Sequence, residues 1–474
     1  MAQDISTHTS DSCLDTHPKQ TMTQLKKRLA IIGGGPGGLA AARVFIANAP
    51  NEFDIDLFTN DVNVGGIWYF PHGDSRPSRV MYDHLETNLP KHVMQFNNVP
   101  FPPHWFKYPR RHEVWVYLKR YYNDYIRDIE NGKETVNVHL SHEIVNVNKV
   151  VDTWNVDVVD HANEDTKRTE KFDYVIVATG HFSVPRIPEV PGLKEWFDNK
   201  DAFHSRHFYD CEFAKGKNVV VVGDGSSGQD IVNQCSSTAN KVYQSVASGL
   251  NDPRYYDNDP TVKVVGKISK VDYSTKTVTL EDGTVLSNID KLVYATGFLY
   301  DLSILDPSIR KDFSSDAHTS YVDNLYEQIF STKHNSIAFS LLPQLIVPFP
   351  LAELQACLIV KAFQGKLQIP KESRSQFDHL TTGHNIPKDK EIEYYQELLS
   401  LLETVTNSSN PDPFQPVQWD TALIKERSLT ADQKFERNIT LNKYSQEARS
   451  NGKQYELIQF TKGPPPKGTE APYP

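Results

Sequence analysis

Gly33, Gly35 and Gly38 stand in the stretch RLAIIGGGPGGLAAARVF with the spacing G-x-G-x-x-G. The first glycine of such a run permits a tight turn after a strand. The second lets the backbone approach a pyrophosphate, and the third lets the following helix lie against the strand. The free N–H groups and positive dipole end of that helix then face the phosphates. The same spacing recurs in NVVVVGDGSSGQD, at Gly223, Gly225 and Gly228. Two such turns far apart in one chain imply two dinucleotide sites, placed to bring two cofactors face to face.

Strands and helices must position these turns. Leu29 to Ile32 is a short, wholly apolar run, as expected of a parallel strand covered on both faces. Phe53 to Phe58 reads as the second strand of that unit. The acidic ribose ligand expected at its end is replaced by Thr59, with Asp61 two residues on. Gly65-Gly66-Ile67-Trp68 reads either as a loop skirting a flat ligand or as a turn carrying a core tryptophan. In YDHLETNLP, Thr87 and Asn88 form a polar pair, with a turn ahead of Pro90 as the alternative.

Glu113 to Ile129 reads as a helix whose Trp115, Leu118, Tyr122 and Tyr125 form a core stripe. Val136 to Val159 suggests a β-meander. YVIVATG and LVYATGF are two buried strands ending in the same small residues, which permit close approach of a ligand or a crossing chain. Pro185, Pro188 and Pro191 suit a stiff interdomain linker. Asp282-Gly283 marks a hairpin, and Pro350 to Phe363 an amphipathic helix carrying Glu353 and Gln355. No arginine pair stands beside Lys241 to Ser245, so these residues leave NADP versus NAD open.

The 474 residues suffice for two or three domains, and 38% hydrophobic with 23% charged residues is a globular composition. A net charge of −10 argues against nucleic acid as a partner. No apolar run is long enough for a transmembrane helix. Residues 1–26 read as a disordered polar tail without a secretory signal, and 462–474 as a flexible tail. Cys13, Cys211, Cys235 and Cys357 are widely spread and form no C-x-x-C, so neither a metal site nor a redox dithiol is expected. The expected location is the cytoplasm, including the periphery of the endoplasmic reticulum.

Taken in order, GGGPGG, GGIW, ETN, ATG, HSRHF, GDGSSG and ATGF resemble the flavin-containing monooxygenases over roughly Lys27 to Gly365. MYDHLETN, WFDNKDAFHS, GDGSSGQD and VPFPLAELQA are most similar to the fungal thiol-oxidising branch of that family. The resemblance implies an α/β fold of two Rossmann-like domains, with the NADPH domain (184–293) inserted into the FAD domain (27–183 and 294–461). It implies that Gly33, Gly34, Gly35, Pro36, Gly37 and Gly38 hold the FAD pyrophosphate. Thr59, Ile67, Trp68, Thr87, Asn88 and Gln355 are then expected around FAD, with Thr87 and Asn88 also beside the nicotinamide. Gly223, Gly225, Ser226, Ser227, Gly228, Gln229 and Asp230 are expected to line the NADPH turn.

The implied reaction inserts one oxygen atom of O2 into a soft nucleophile through a C4a-hydroperoxyflavin. The expected substrate is a small thiol such as glutathione or cysteine, and Asn88 is the expected catalytic residue. A Baeyer–Villiger or N-hydroxylating monooxygenase and a non-catalytic redox sensor are the alternatives. The family signature F-x-G-x-x-x-H-x-x-x-F is altered here. His204 and Phe208 match, Phe197 sits one residue early, and Lys200 occupies the glycine position. His204, at a domain junction, reads as structural.

Overall fold

The computed structural model describes residues 25–70, 80–128, 133–134, 136–247, 256, 259–372, 383–387, 389–407 and 409–457. The expectations for the first 24 residues and for the tail from 462 lie outside them. The chain opens with β1 (Lys27–Ile32), α1 (Pro36–Asn48) and β2 (Phe53–Phe58). The apolar run of β1 pairs in parallel with β2 and is buried on both faces from Leu29 onward. The helix α2 (Arg111–Tyr125) follows, then β3 (Asn137–His139), which joins the far side of β2 in parallel.

The buried face of α2 is rotated from the expected one. Val114, Tyr117, Leu118, Tyr121 and Tyr122 are buried, whereas Tyr125 is 37% exposed and Trp115 is only partly covered. The tyrosines can lie inside because their hydroxyls find partners there. Tyr117 donates to the Val99 carbonyl at 2.7 Å and Tyr121 to Glu353 at 2.8 Å. Glu353 in turn pairs with the buried Arg43 of α1 at 2.9 Å. This network ties the first glycine-turn helix into the core.

The meander expected after Val136 is an antiparallel set of β4 (His142–Val150), β5 (Thr153–Asp160) and β6 (Thr166–Phe172). Next, β7 (Tyr174–Val177) returns to the first sheet, parallel to β1 on the side away from β2. The chain then leaves this sheet. Val184–Pro185 runs antiparallel to the returning segment at Phe298–Leu299, so the two crossings lie side by side.

Between the crossings lies a second parallel sheet. It is built from β8 (Ala202–His204), β9 (Asn218–Val222), α3 (Ser226–Ser236), β10 (Lys241–Ser245), β11 (Val262–Val265) and β12 (Lys291–Tyr294). Its strand order is β8-β12-β9-β10-β11, all parallel. The expected hairpin is present as Thr277–Leu280 against Val285–Leu286.

After the return, β13 (Leu325–Tyr326), β14 (Phe330–Ser331) and β15 (Ile337–Phe339) complete the first sheet in the order β13-β14-β15-β7-β1-β2-β3. The α/β fold of two Rossmann-like domains, one inserted into the other, is therefore observed. The helix α4 (Pro348–Phe363) packs against α1 and is buried almost all round, apolar where an amphipathic helix was expected. Two further helices were not anticipated, α5 (Glu391–Thr404), whose Tyr394, Tyr395, Leu398, Leu399 and Leu402 form a buried stripe at helical spacing, and the 30-residue α6 (Thr421–Ser450). Buried α6 residues are mostly polar, namely Thr430, Asn438, Asn442 and Ser445 beside Leu441. A helix polar all round has no apolar stripe to read, and commonly bridges domains.

Candidate functional site

The two glycine turns share one construction. Gly33 has φ +121°, and a side chain on it would overlap the Ala178 carbonyl at the end of β7. A side chain on Gly38 would overlap the carbonyl of Gly33. Gly223 has φ +120° and stands in the same way against the Ala295 carbonyl at the end of β12, and Gly228 against Gly223. Each alanine is the first residue of an Ala-Thr-Gly, so the repeated motif is where a neighbouring strand closes over the turn. The helices that follow, α1 and α3, begin after Gly35 and Gly225 with no side-chain cap and no acid in the first turn. Their leading N–H groups are left for an anion.

The GGIW loop lies on the first turn. The Gly65 amide donates to the Gly34 carbonyl at 2.8 Å, and a Cβ on Gly66, at φ +56°, would lie 2.9 Å from the Gly35 Cα. Close backbone packing therefore requires these glycines, while Ile67 and Trp68 stay partly open. Thr59 is buried at the end of β2, where a Cβ on Gly34 would meet it at 2.9 Å. Its hydroxyl accepts from the Asp61 amide at 3.4 Å.

On the other side, Ser340 reaches the start of α1. A Cβ on Gly37 would sit 2.8 Å from its hydroxyl. Gln355 is fully buried in α4. Its Oε1 accepts from the Leu341 amide at 2.9 Å, and its Nε2 is buried without a partner among the described residues.

At the second turn, Ser226 and Ser227 are exposed, and a side chain on Gly225 would meet open space. Gln229 donates back to the Asp224 carbonyl at 2.8 Å. Asp230 turns its carboxylate to the Tyr82 hydroxyl, which donates to it. Enclosure pushes the Asp230 acid up to about 6, although the Tyr82 bond pulls the other way. Tyr82 lies edge-on to Phe208 of the altered signature, at 5.1 Å between centroids.

The signature histidine, His204, is buried and bonded at both nitrogens. Nε2 lies 3.0 Å from the Gly297 carbonyl and Nδ1 accepts from the Arg206 amide at 3.1 Å. Burial, with Arg206 and His207 adding to it against the Gly297 bond, lowers it to about 4. His204 is thus a neutral strut between the ends of β8 and β12. Lys200, at the glycine position, has φ +58°.

The ETN segment lies beside the second turn. Thr87 is buried and its hydroxyl donates to the Leu89 carbonyl at 2.8 Å. Asn88 is exposed, and its side chain has no hydrogen-bond partner among the described residues. Glu86 is buried between Arg437 (2.8 Å) and Lys434 (3.1 Å) of α6. Burial alone would raise its pKa, but the two cations outweigh that and hold it below its ordinary range. Sequence reading singled out Thr87 and Asn88 but missed Tyr82 and Glu86, whose partners lie far away in the chain. It also missed Ser340. Among the described residues no cluster of His, Cys, Asp and Glu is placed to hold a metal ion. Nor is any helix long and apolar enough to cross a membrane.

Comparison with known proteins gives this geometry its class. The flavin-binding monooxygenase-like family model matches residues 26–252 and 250–397, and the chain belongs to that family. It is a flavin-containing monooxygenase with FAD and NADPH as cofactors. The thiol-specific monooxygenase of Saccharomyces cerevisiae is 43% identical over 91% of this chain and 98% of its own length. A flavin-containing monooxygenase of Arabidopsis thaliana, FMO GS-OX5, is 27% identical over 74% of this chain and 76% of its own. Among solved structures, the S-allyl-L-cysteine S-oxygenase of Allium sativum shares the fold. Its TM-score is 0.71 at 23% identity, covering 91% of this chain and all of that one.

Proposed function

We propose that this monooxygenase oxygenates small thiols, with FAD on the first glycine turn and NADPH on the second. One oxygen atom of O2 goes to sulfur, giving a sulfenic acid, and the other leaves as water with two electrons from NADPH. The observation that carries the two-cofactor part is the doubled construction of the turns, each locked under an alanine carbonyl and opening on an uncapped helix. The thiol part is supported by the likeness to the yeast thiol-specific monooxygenase along nearly the whole of both chains.

NADPH supplies the hydride, and FAD passes the electrons to O2; that chemistry belongs to the cofactors. The protein binds, orients and shields. Gly34, Gly35, Gly37 and Gly38 offer backbone N–H groups to the FAD pyrophosphate, with Gly33 shaping the turn and Pro36, which has no N–H, opening the helix; Gly225, Ser226, Ser227 and Gly228 do the same for NADPH beside the turn glycine Gly223. The buried, unpartnered Nε2 of Gln355 is a donor for a polar edge of the flavin. Thr59, Ile67, Trp68 and Thr87 wall the FAD side. Gln229 and Asp230 act behind the second turn, bracing it through Asp224 and Tyr82. Asn88, exposed and unpaired among the described residues, presents an amide that can both donate to and accept from the reacting oxygen. We assign 27–183 and 294–461 to the FAD unit and 184–293 to the NADPH unit, although β12 of the second sheet runs one residue further, to Tyr294, and Leu441, Tyr455 and Leu457 pack into the core of the second unit.

The test is a substrate panel on the FAD-loaded enzyme with NADPH in air. It follows NADPH, O2, peroxide and product for glutathione, cysteine, a primary amine and a cyclic ketone. Thiols are expected to accelerate NADPH oxidation while suppressing peroxide release. Ester or hydroxylamine products would instead favour Baeyer–Villiger or N-hydroxylating chemistry. Stoichiometric peroxide with every compound would remove thiol oxygenation.

A further inference from the structure

The helix α6 lies beyond the residues matched by the family model, which end at 397. It nevertheless touches both halves of the site through neighbouring residues. Arg437 grips the buried Glu86 with Nε at 3.1 Å and Nη2 at 2.8 Å, and Lys434, one turn earlier, adds a contact at 3.1 Å. Glu86 stands two residues before Asn88. The next α6 residue, Asn438, is 5% exposed and donates to Gln229 Oε1 at 2.9 Å. Gln229 passes that restraint to the glycine turn through its bond to the Asp224 carbonyl at 2.8 Å. Successive helix residues point roughly 100° apart, so one turn of α6 reaches two surfaces at once. Tyr82 and Asp230 add a direct tie between the same two segments.

We propose that α6 is a positioning strut for the second nucleotide. Its Arg437–Glu86 and Asn438–Gln229 contacts hold the Asn88 segment and the second glycine turn at one separation, and retention of NADP+ depends on that separation. The inference rests on the assignment of NADPH to the second turn. Arg437 and Asn438 are positioning residues, acting through Glu86 and Gln229. A rigid shared mount is worth having because two cofactors and a substrate must meet within a fraction of an ångström, and small misplacements of reacting groups are costly.

The experiment uses the full-length, FAD-loaded enzyme and titrates it calorimetrically with NADP+, which requires no turnover. Asn438→Ala is expected to raise the NADP+ dissociation constant by about fivefold, the effect of one lost hydrogen bond. Hydrogen exchange should quicken in 226–236 and 81–90 of the same variant. Ser445→Ala is the comparison. Ser445 is also buried on α6, but it bonds to Ser236 at 2.9 Å, at the far end of α3 from the glycine turn. It should cost stability without changing NADP+ affinity. Arg437→Lys keeps a charge on Glu86 and should retain more NADP+ affinity than Arg437→Met.

An unchanged dissociation constant in folded Asn438→Ala would overturn the strut, as would equal losses in Asn438→Ala and Ser445→Ala. The thiol reading stands or falls separately on turnover by the unsubstituted enzyme. A protein that binds NADP+ through this strut yet leaves thiols untouched would retain the inference and lose that reading.

Discussion

Asn88 and Lys200 show two ways in which a single residue departs from its surroundings. Asn88 is a polar side chain left exposed and, among the described residues, unpaired, in a segment otherwise tied down by Glu86 and Thr87. Such a group is free to serve a ligand. Asn88→Ala is expected to leave FAD content unchanged and to raise the fraction of NADPH electrons released as peroxide severalfold, read by a coupled peroxidase assay; unaltered coupling would remove Asn88 from the mechanism. Lys200 sits at φ +58°, where a Cβ is crowded and glycine is not. The altered signature therefore keeps the backbone shape of a glycine at that position. Lys200→Gly should stabilise the protein by about 1 kcal/mol, seen as a higher urea midpoint; a lower midpoint would mean that the lysine side chain contributes more than its backbone strain costs.

At the scale of elements, each glycine turn is a three-part lock of strand end, turn and helix. The third glycine of each is pressed onto the first, so adding one methyl group separates the helix from the strand. Gly38→Ala should yield protein that does not retain FAD, visible as loss of the flavin absorbance on purification. Gly228→Ala should keep FAD and lose NADP+ binding. A Gly228→Ala enzyme with ordinary NADP+ affinity would place the second nucleotide elsewhere. Both locks were legible in the sequence because they depend on local spacing and on residues with no side chain. The stripe on α2 was misread because tyrosine is ambiguous to periodicity. Tyr117 and Tyr121 are buried only because Val99 and Glu353 accept their hydroxyls, a condition set elsewhere in the chain.

For the whole molecule, buried histidines set the behaviour in acid. Burial lowers His181 and His204 to about 4 and His384 to about 3, with Arg206 and His207 adding to the effect at His204 and His181 at His384. In the unfolded chain these groups titrate near 6.5, so between about pH 6.5 and pH 4 the unfolded state binds more protons and stability falls as pH falls. Each histidine contributes on the order of 3 kcal/mol over that range. Asp230, raised to about 6 by its enclosure, works the other way, because its folded form takes up a proton first. Glu353, pushed up to about 7 by burial although the Asn97 amide, Arg43 and Tyr121 oppose it, does the same, and together the two acids offset roughly two histidines. Asp201 lies outside this window: burial opposes ionisation, but Lys291, Lys276 and Tyr273 lower it to about 2. The thermal midpoint of the FAD-loaded enzyme should therefore drop modestly from pH 6.5 to pH 4.5, and His204→Gln should make that slope shallower. An unchanged slope in His204→Gln would show that this imidazole is protonated in the fold.

The sequence alone determined the two nucleotide turns and the parallel strands that carry them, which are written in short-range patterns, in glycine spacing and in unbroken apolar runs. The ordered motifs gave the family resemblance, and the insertion of one unit in the other was implied by that resemblance. Tertiary structure decided what braces the site. The Tyr82–Asp230 tie, the Glu86 clamp and the helix α6 join residues from distant parts of the chain through polar contacts. A buried polar side chain looks like a surface residue until its partner is known, because only the partner offsets the cost of taking it out of water.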